Sequence, residues 1–395
     1  MKRILILGAG FLQQFIIKRA YELGYYVIAL DGNPNAVGFK YAHEAHCIDV
    51  SDAHACFDYA KTADLNGVIT AATEYPVIPC SYIAEKLGLV GNSIETAKLL
   101  KNKYAVRKCF IKNNVDSIKQ CFEVSTETDI EMMHVKFPVI VKPCNGSGSC
   151  AVRMVQNKGE LIIACEQAIN ASVVNKAVVE DFTEGNEYGV ESFVSNGTVY
   201  VLGISKKYMT KHPDYAELGH CIPSDLTAGL QSKLEQIATK AIKVLGIENG
   251  GVNMDVIVGS DDKISIVDVG MRMGGNLIGS HLIPIGTGID YMGNIIRLAV
   301  GDDIQMTPIF PTSPIATKIL NLSPGKAKEI PDVEPIERKY NVKILHHLKK
   351  GDVIRAYHNN LDGCGYVVAT ADKIDKAVEN AQSAKEEFDQ QIVRG

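Results

Sequence analysis

No apolar run in this 395-residue chain approaches the ~20 residues that a membrane-spanning helix needs. The opening M-K-R-I-L-I-L-G-A-G has the look of a signal peptide only briefly, because Gln13 and Gln14 end the apolar stretch. A first strand and turn is the better reading. The ten cysteines form no C-x-x-C pair. Without an export signal they are expected as reduced thiols in a cytosolic, cytoplasmic protein. A positive excess is also missing: 41 Lys and Arg stand against 46 Asp and Glu, a formal charge of −5. Nucleic acid and polyanionic membrane are therefore not expected partners, and any positive ligand site must be local. No G-x-x-x-x-G-K-[ST] occurs, which excludes a P-loop. There is no internal repeat and no low-complexity tract.

What is present is length enough for two or three domains. Residues 3–7, 11–23, 26–30 and 67–69 alternate strand and helix patterns, which argues a parallel, doubly wound sheet. A basic, helix-rich connection covers 93–113. Short strands and one helix (158–172) follow in an α+β pattern, then strands, a helix (230–245) and a hairpin up to about 300. Three prolines between 307 and 314 suggest a linker, and short strands with a final helix from 374 complete the chain. The fold class is thus α/β and α+β, multidomain.

The segment 252–275 is the most informative: V-N-M-D-V-I-V, then G-S-D-D, then K-I-S-I-V-D-V-G-M-R-M-G-G. Two apolar runs flank a polar turn, a hairpin signal that places Asp255 opposite Ile266 and Asp268 one diagonal step away. Like charges so close are costly to bury unless a cation lies between them. Oxygen ligands suit Mg2+, which usually also holds substrate phosphates. Two solvated acids on an edge hairpin are the plainer alternative.

Other segments carry weaker signals. Gly8 and Gly10, with Asp31 ending the second strand, begin a dinucleotide fingerprint, but the third glycine position is Gln13. A tight β-α turn needs the first two glycines with or without a cofactor, so a Rossmann-type oxidoreductase is a minor alternative. His43, His46, Cys47, His54 and Cys56 are dense enough for zinc, although they straddle a strand and a helix and need not converge. The strand ending at Lys142 runs into C-N-G-S-G-S-C, where Gly146, Ser147, Gly148 and Ser149 permit close backbone approach to phosphate. A flexible turn would read the same way. Lys103, in N-K-Y, is ordinary by itself. In A-V-V-E-D-F-T-E-G-N-E-Y-G-V-E-S-F a strand delivers Glu180, and Glu187 opens the next one. The backbone at Asp181 and Phe182 can pair with an adenine edge, and a carboxylate suits ribose hydroxyls; a solvated acidic edge is the alternative. Glu74 follows a strand of the first domain, at the edge where open sheets bind ligands.

Taken in order, Lys103, P-V-I-V-K-P with its Gly-Ser loop, V-V-E-D-F-x-x-G-x-E, N-M-D and D-V-x-x-R-x-G-G resemble the ATP-grasp superfamily. More narrowly, the pattern is similar to its carbamoyl-phosphate-synthase-like and L-amino-acid-ligase-like carboxylate-amine ligases, over nearly the whole chain. The resemblance implies an ATP-grasp fold with a Rossmann-like (pre-ATP-grasp) domain at 1–93. The ATP-grasp domain would cover 94–310 with a mobile lid at about 122–190, and a β-rich C-terminal subdomain 311–395. It implies ATP and one or two Mg2+ ions, small carboxylate and amine substrates, and a homodimer. Lys103 and Lys142 would contact the phosphates under the Gly146–Ser149 loop. Glu180 with the backbone after it would meet adenine, and Glu187 the ribose. Asp255 and Asp268 would hold Mg2+, and Arg272 would stabilise an acyl phosphate. Glu217 and His220, three apart in Y-A-E-L-G-H, recur near the substrate in relatives; with Glu74, Arg272 and Gly275 they form the expected substrate set. Backbone-bonding loop roles suit Glu217 and His220 equally well. Lys207 and His281 are secondary candidates. One departure stands out. The family pattern acid-x-Asn-x-Arg has Gly270 at its asparagine position, which makes a non-ligating ATP-binding homologue the main alternative.

Overall fold

The computed structural model describes residues 1–146, 151–211 and 215–395. Four strands, β1 (Arg3–Leu7), β2 (Tyr26–Asp31), β3 (Glu44–Cys47) and β4 (Gly67–Thr70), form a parallel sheet in the order β3-β2-β1-β4. After Arg3, strand β1 is a continuous apolar run because both faces of the sheet are covered. Ile4 and Ile6 pack with Ile16 and Ile17 of the first helix, while Leu5 and Leu7 pack with Cys56 and Ile83 on the other side. The histidine and cysteine group does not converge. The His43 ring stacks on Tyr26 at 4.6 Å between centroids, His46 leans on Tyr59, and Cys56 is buried in the core. Among the described residues no group of three or more His, Cys, Asp or Glu is placed to hold a metal.

A second, antiparallel sheet contains β5 (Cys121–Val124), β6 (Val139–Pro143), β7 (Arg153–Val155) and β8 (Ala177–Asp181), in the order β5-β8-β6-β7. The helix Lys158–Ala171 covers one face, and its N-cap Asn157 accepts from the Glu160 N–H.

The large sheet is antiparallel throughout. Its strands are β9 (Asn186–Ser195), β10 (Thr198–Met209), β11 (Glu217–Ile222), β12 (Gly250–Val258), β13 (Ile264–Gly270) and β14 (Ile315–Ile319). After β15 (Gly325–Glu329) come β16 (Val342–His346), β17 (Val353–Ile354), β18 (Gly365–Thr370) and β19 (Val393–Arg394). The order is β13-β12-β9-β10-β11-β14-β18-β16, with a small sheet β17-β15-β19 beside it. The expected boundary at 310/311 therefore falls between strands of one hydrogen-bonded sheet.

One register differs from the sequence expectation. Asp255 pairs with Asp268, not Ile266: the turn already sets Val258 opposite Ile264, one residue beyond the expected register, and a further one-residue shift falls between Asp255 and Val256. The extra residue on β13 forms a bulge, which turns the diagonal pair of acids into a directly opposed one. The first domain touches this hairpin through an isolated parallel bridge between Ala71 and Met273, where the Ala72 N–H donates to Met273 O at 3.1 Å.

Candidate active site

Each acid of the hairpin is held by a lysine from another element. Asp268 Oδ1 lies 2.6 Å from Lys103 Nζ. Lys103 opens the helix Lys103–Asn113, whose N-cap Asn102 accepts from the Ala105 N–H. Asp255 Oδ1 lies 2.8 Å from Lys207 Nζ on β10. Lys207 is a hub: its ammonium is also 2.6 Å from Glu217 Oε1 and 3.3 Å from Glu187 Oε2, with only 2% of the side chain exposed. Burial opposes its charge, but Asp255, Glu217 and Glu187 outweigh that and raise its pKa well above the ordinary value. Glu217 is the mirror case. Burial favours its neutral form, yet Lys207 and His220 hold its pKa well below the usual carboxylate range.

Asn360 Nδ2 donates to Glu217 at 3.0 Å, and Asn276 donates to the same oxygen. The expected partner His220 is wholly buried, with Nε2 3.6 Å from Glu217 Oε2. Paired across the strands with Lys207, it has no exposed surface to offer a substrate. The direct substrate contact expected of His220 is therefore not available in this structure.

Arg272 leaves the end of β13 and meets the first domain. Its Nε is 2.8 Å from Glu74 Oε1, and Glu74 Oε2 is 3.4 Å from Lys101 Nζ. Arg272 Nη1 is 3.5 Å from Asn253 Oδ1. Gly275 lies beside the first domain, where an added β-carbon would sit 3.6 Å from Ala72 O.

On the other side of the hairpin, Lys142 Nζ is 2.6 Å from Glu180 Oε1 and donates to Val267 O at 3.2 Å. Glu180 Oε2 takes Arg107 Nε at 2.7 Å, and Arg107 Nη1 takes Asp116 at 2.6 Å. Burial pushes the Glu180 pKa up, but Lys142 and Arg107 overrule it and bring it down to about 2. The Glu180 carboxylate is thus committed to fixing Lys142, not free for a base. Asp181 is committed as well, accepting from the N–H groups of Lys119 and Gln120 at 2.7 and 3.0 Å. What this segment offers an adenine edge is backbone at Asp181 and Phe182. The Phe182 N–H makes a long bond to Pro138 O at 3.4 Å. Of the expected phosphate loop, Gly146 is described, whereas Ser147, Gly148 and Ser149 lie outside the described residues.

The sequence reading passed over Arg107, Asp116, Lys101 and Glu191. Arg107 is 4% exposed in a helix that reads as a basic surface element, and Glu191 is 1% exposed inside a β-strand. A charge within an apolar strand was the available signal for Glu191 in G-V-E-S-F.

The dinucleotide reading fails on geometry. Asp31 accepts from the Ala9 N–H at 2.7 Å, so the expected ribose acid instead ties down the glycine turn. Gln13 lies over that turn, with Oε1 2.9 Å from where a Gly10 β-carbon would be, and its Nε2 donates to Ala71 O at 3.0 Å. The seat a pyrophosphate would need is filled by this side chain.

Three family matches tile most of the chain. Residues 1–84 match the ribonucleotide synthetase preATP-grasp domain, 135–280 the ATP-grasp domain, and 319–392 the L-amino acid ligase C-terminal domain 2. Residues 135–280 are an ATP-grasp domain. Among solved structures, an L-amino acid ligase from Bacillus licheniformis superimposes with a TM-score of 0.85 at 22% identity, covering 98% of each chain. A phosphoribosylglycinamide synthetase from Anaerococcus prevotii gives 0.80 at 25% identity over 100% of both chains. By sequence, a formate-dependent phosphoribosylglycinamide formyltransferase of Prochlorococcus marinus (strain NATL1A) is 26% identical over 257 residues, 62% of this chain. That match spans 64% of the formyltransferase, under two thirds of its length. Among the described residues, no helix of this ATP-grasp protein is long and apolar enough to cross a membrane.

Proposed function

We propose that this ATP-grasp protein is an ATP-dependent carboxylate-amine ligase acting on small molecules, with an amino acid as one substrate. The observation that carries the reading is the joined ion-pair network. The opposed Asp255 and Asp268 stand between Lys103 and Lys207, beside the Arg272–Glu74 pair and within one shared residue of Glu217. Nucleotide phosphates would be met by Lys103 and Lys142, and the ribose by Glu187. The substrate carboxylate oxygen attacks the γ-phosphorus, the bond to the β-phosphate oxygen breaks, and ADP leaves. The amine nitrogen then attacks the acyl carbon, the C–O bond to phosphate breaks, and the ammonium proton is lost. Arg272 neutralises charge on the acyl phosphate and the tetrahedral species, which is what phosphoryl and acyl transfer need most from a protein. Glu74 and Glu217 are suited to the ammonium group of an amino acid, and His220 supports Glu217.

The donor set fits a hard divalent cation. Asp255 and Asp268 are opposed oxygen donors whose side chains are 28% and 44% exposed, open enough to be shared with phosphate oxygens. Bound there, Mg2+ would supply charge neutralisation at the phosphates.

The test is release of ADP and phosphate with MgATP against pools of amino acids and small carboxylates, followed by mass analysis of the products. A condensed mass matched by ADP, requiring ATP, Mg2+ and both substrates, is expected. Nucleotide binding without turnover in any pool would instead support the second reading, a non-ligating homologue, whose supporting observation is the absent side chain at Gly270. Size-exclusion mass measurement tests the expected homodimer.

A further inference from the structure

Two carboxylates are a sparse ligand set, and Gly270 offers no side chain where the family pattern has asparagine. Among the described residues no third His, Cys, Asp or Glu completes a cluster. The missing donor is found across the hairpin. Asn253 is the cross-strand partner of Gly270, two residues before Asp255 and hence on the same face of β12. Asn253 is 9% exposed.

Its amide orientation is set from behind. Glu191 is 1% exposed, and its Oε1 accepts from the Gly274 N–H at 2.7 Å and from the Tyr291 hydroxyl at 2.8 Å. Its Oε2 accepts from Asn253 Nδ2 at 2.9 Å. Ionised, Glu191 only accepts, so the amide nitrogen of Asn253 faces it and the amide oxygen faces the other way. That oxygen is directed toward Arg272, 3.5 Å from Nη1. Gly274 packs against this arrangement, since a β-carbon there would sit 2.8 Å from Glu191 Oε2 and 3.1 Å from Asn253 Nδ2.

We propose that Asn253 Oδ1 is a further oxygen donor of the divalent-cation site, joining Asp255 and Asp268 in place of the side chain that Gly270 lacks. Glu191 is the positioning residue that turns the oxygen toward the site. The inference rests on the assignment of Asp255 and Asp268 to the cation. A neutral amide oxygen suits Mg2+ or Mn2+ as a ligand and adds no like charge to the pair.

The experiment measures Mn2+ affinity of the full chain in the presence of ADP, by the electron paramagnetic resonance signal of free Mn2+. Asn253→Ala is expected to weaken Mn2+ by roughly 10- to 100-fold. Glu191→Gln gives Asn253 a donor to face, so its amide turns over and Mn2+ weakens although residue 191 never touches the ion. The double variant should bind no more weakly than Asn253→Ala alone, because both changes remove the same oxygen. Unchanged ADP affinity without metal, and an unchanged thermal melt, show that the variants are folded. Should Asn253→Ala not fold, Glu191→Gln decides alone. Mn2+ affinity within twofold of wild type in either folded variant overturns the proposal, as does an additive double variant. Asp268→Asn separates the two levels. If it loses Mn2+ while Asn253→Ala does not, only the asparagine ligand is wrong; if neither loses Mn2+, the hairpin is not the cation site.

Discussion

Placing asparagine at position 270 looks like a repair of the family pattern, yet the structure predicts that it damages the site. A β-carbon on Gly270 would lie 2.6 Å from Glu74 Oε1, 3.1 Å from Arg272 Cζ and 3.2 Å from Arg272 Nη2. Neither side chain is a loose end. Glu74 Oε1 pairs with Arg272 Nε at 2.8 Å while Oε2 lies 3.4 Å from Lys101 Nζ, and the pair is 26% and 17% exposed. Any side chain at 270 must therefore push the two apart. A charge-assisted contact of this kind is worth about 1.5–3 kcal/mol. On a contact that orients substrate, that corresponds to roughly a 10- to 150-fold loss in kcat/KM for the amine substrate. The ATP side should be spared, because Lys142 and Glu180 belong to a separate set of pairs. The assay is ADP release against amine concentration and against ATP concentration, for Gly270→Ala and Gly270→Asn. Alanine brings the clash without a new donor, so both variants should fall, with the KM for ATP little changed. If Gly270→Asn matches or exceeds the wild type, the Glu74–Arg272 pair is dispensable and position 270 is a decayed metal ligand after all.

Three further outcomes follow from the same geometry. Arg272→Ala should leave ATP binding intact and abolish product, at a cost of about 2–4 kcal/mol in transition-state stabilisation; wild-type turnover would refute its assignment. Lys207→Met leaves Glu187, Glu217 and Asp255 around an apolar side chain, and a loss of about 3–5 kcal/mol is expected from urea unfolding of the metal-free protein. A change below about 1 kcal/mol would show that these acids relax away from one another. His281 stands edge-on to Phe15 at 4.9 Å, and burial pushes its pKa down to about 4. The unfolded chain takes up that proton near pH ~6.5, so the neutral ring stabilises fully above that pH and its contribution is lost as pH falls toward 4. Unfolding of His281→Phe followed across that range should show a shallower acid slope, and an unchanged slope would place the titration elsewhere.

The sequence was most readable where a rule is local. Alternation over the first ninety residues gave the parallel sheet, since β1 obeys a buried-strand pattern that needs no knowledge of its partners. The hairpin around Asp255 was readable too, but its register was not. A bulge depends on how the strand is bent by its neighbours, and nothing in K-I-S-I-V-D announces it. Glu180 shows the limit for side chains. Its partners Arg107 and Lys142 lie 73 and 38 positions earlier in the chain, so a carboxylate that looks available for a nucleotide is already bound. His220 shows the same limit through burial: a two-state alternation marks its face but not that the face is covered.

These commitments change how the network must work. Lys103, Lys142, Lys207 and Arg272 are each already paired with at least one carboxylate. A phosphate meeting Lys103, as proposed, would take that cation's charge from Asp268. Left alone, the two opposed acids would then repel each other and the nucleotide. A divalent cation held by Asp255 and Asp268, as proposed, would relieve both by neutralising the acids. Held there, the metal would supply charge neutralisation for the chemical step. The paired lysines keep the acids in place until it arrives.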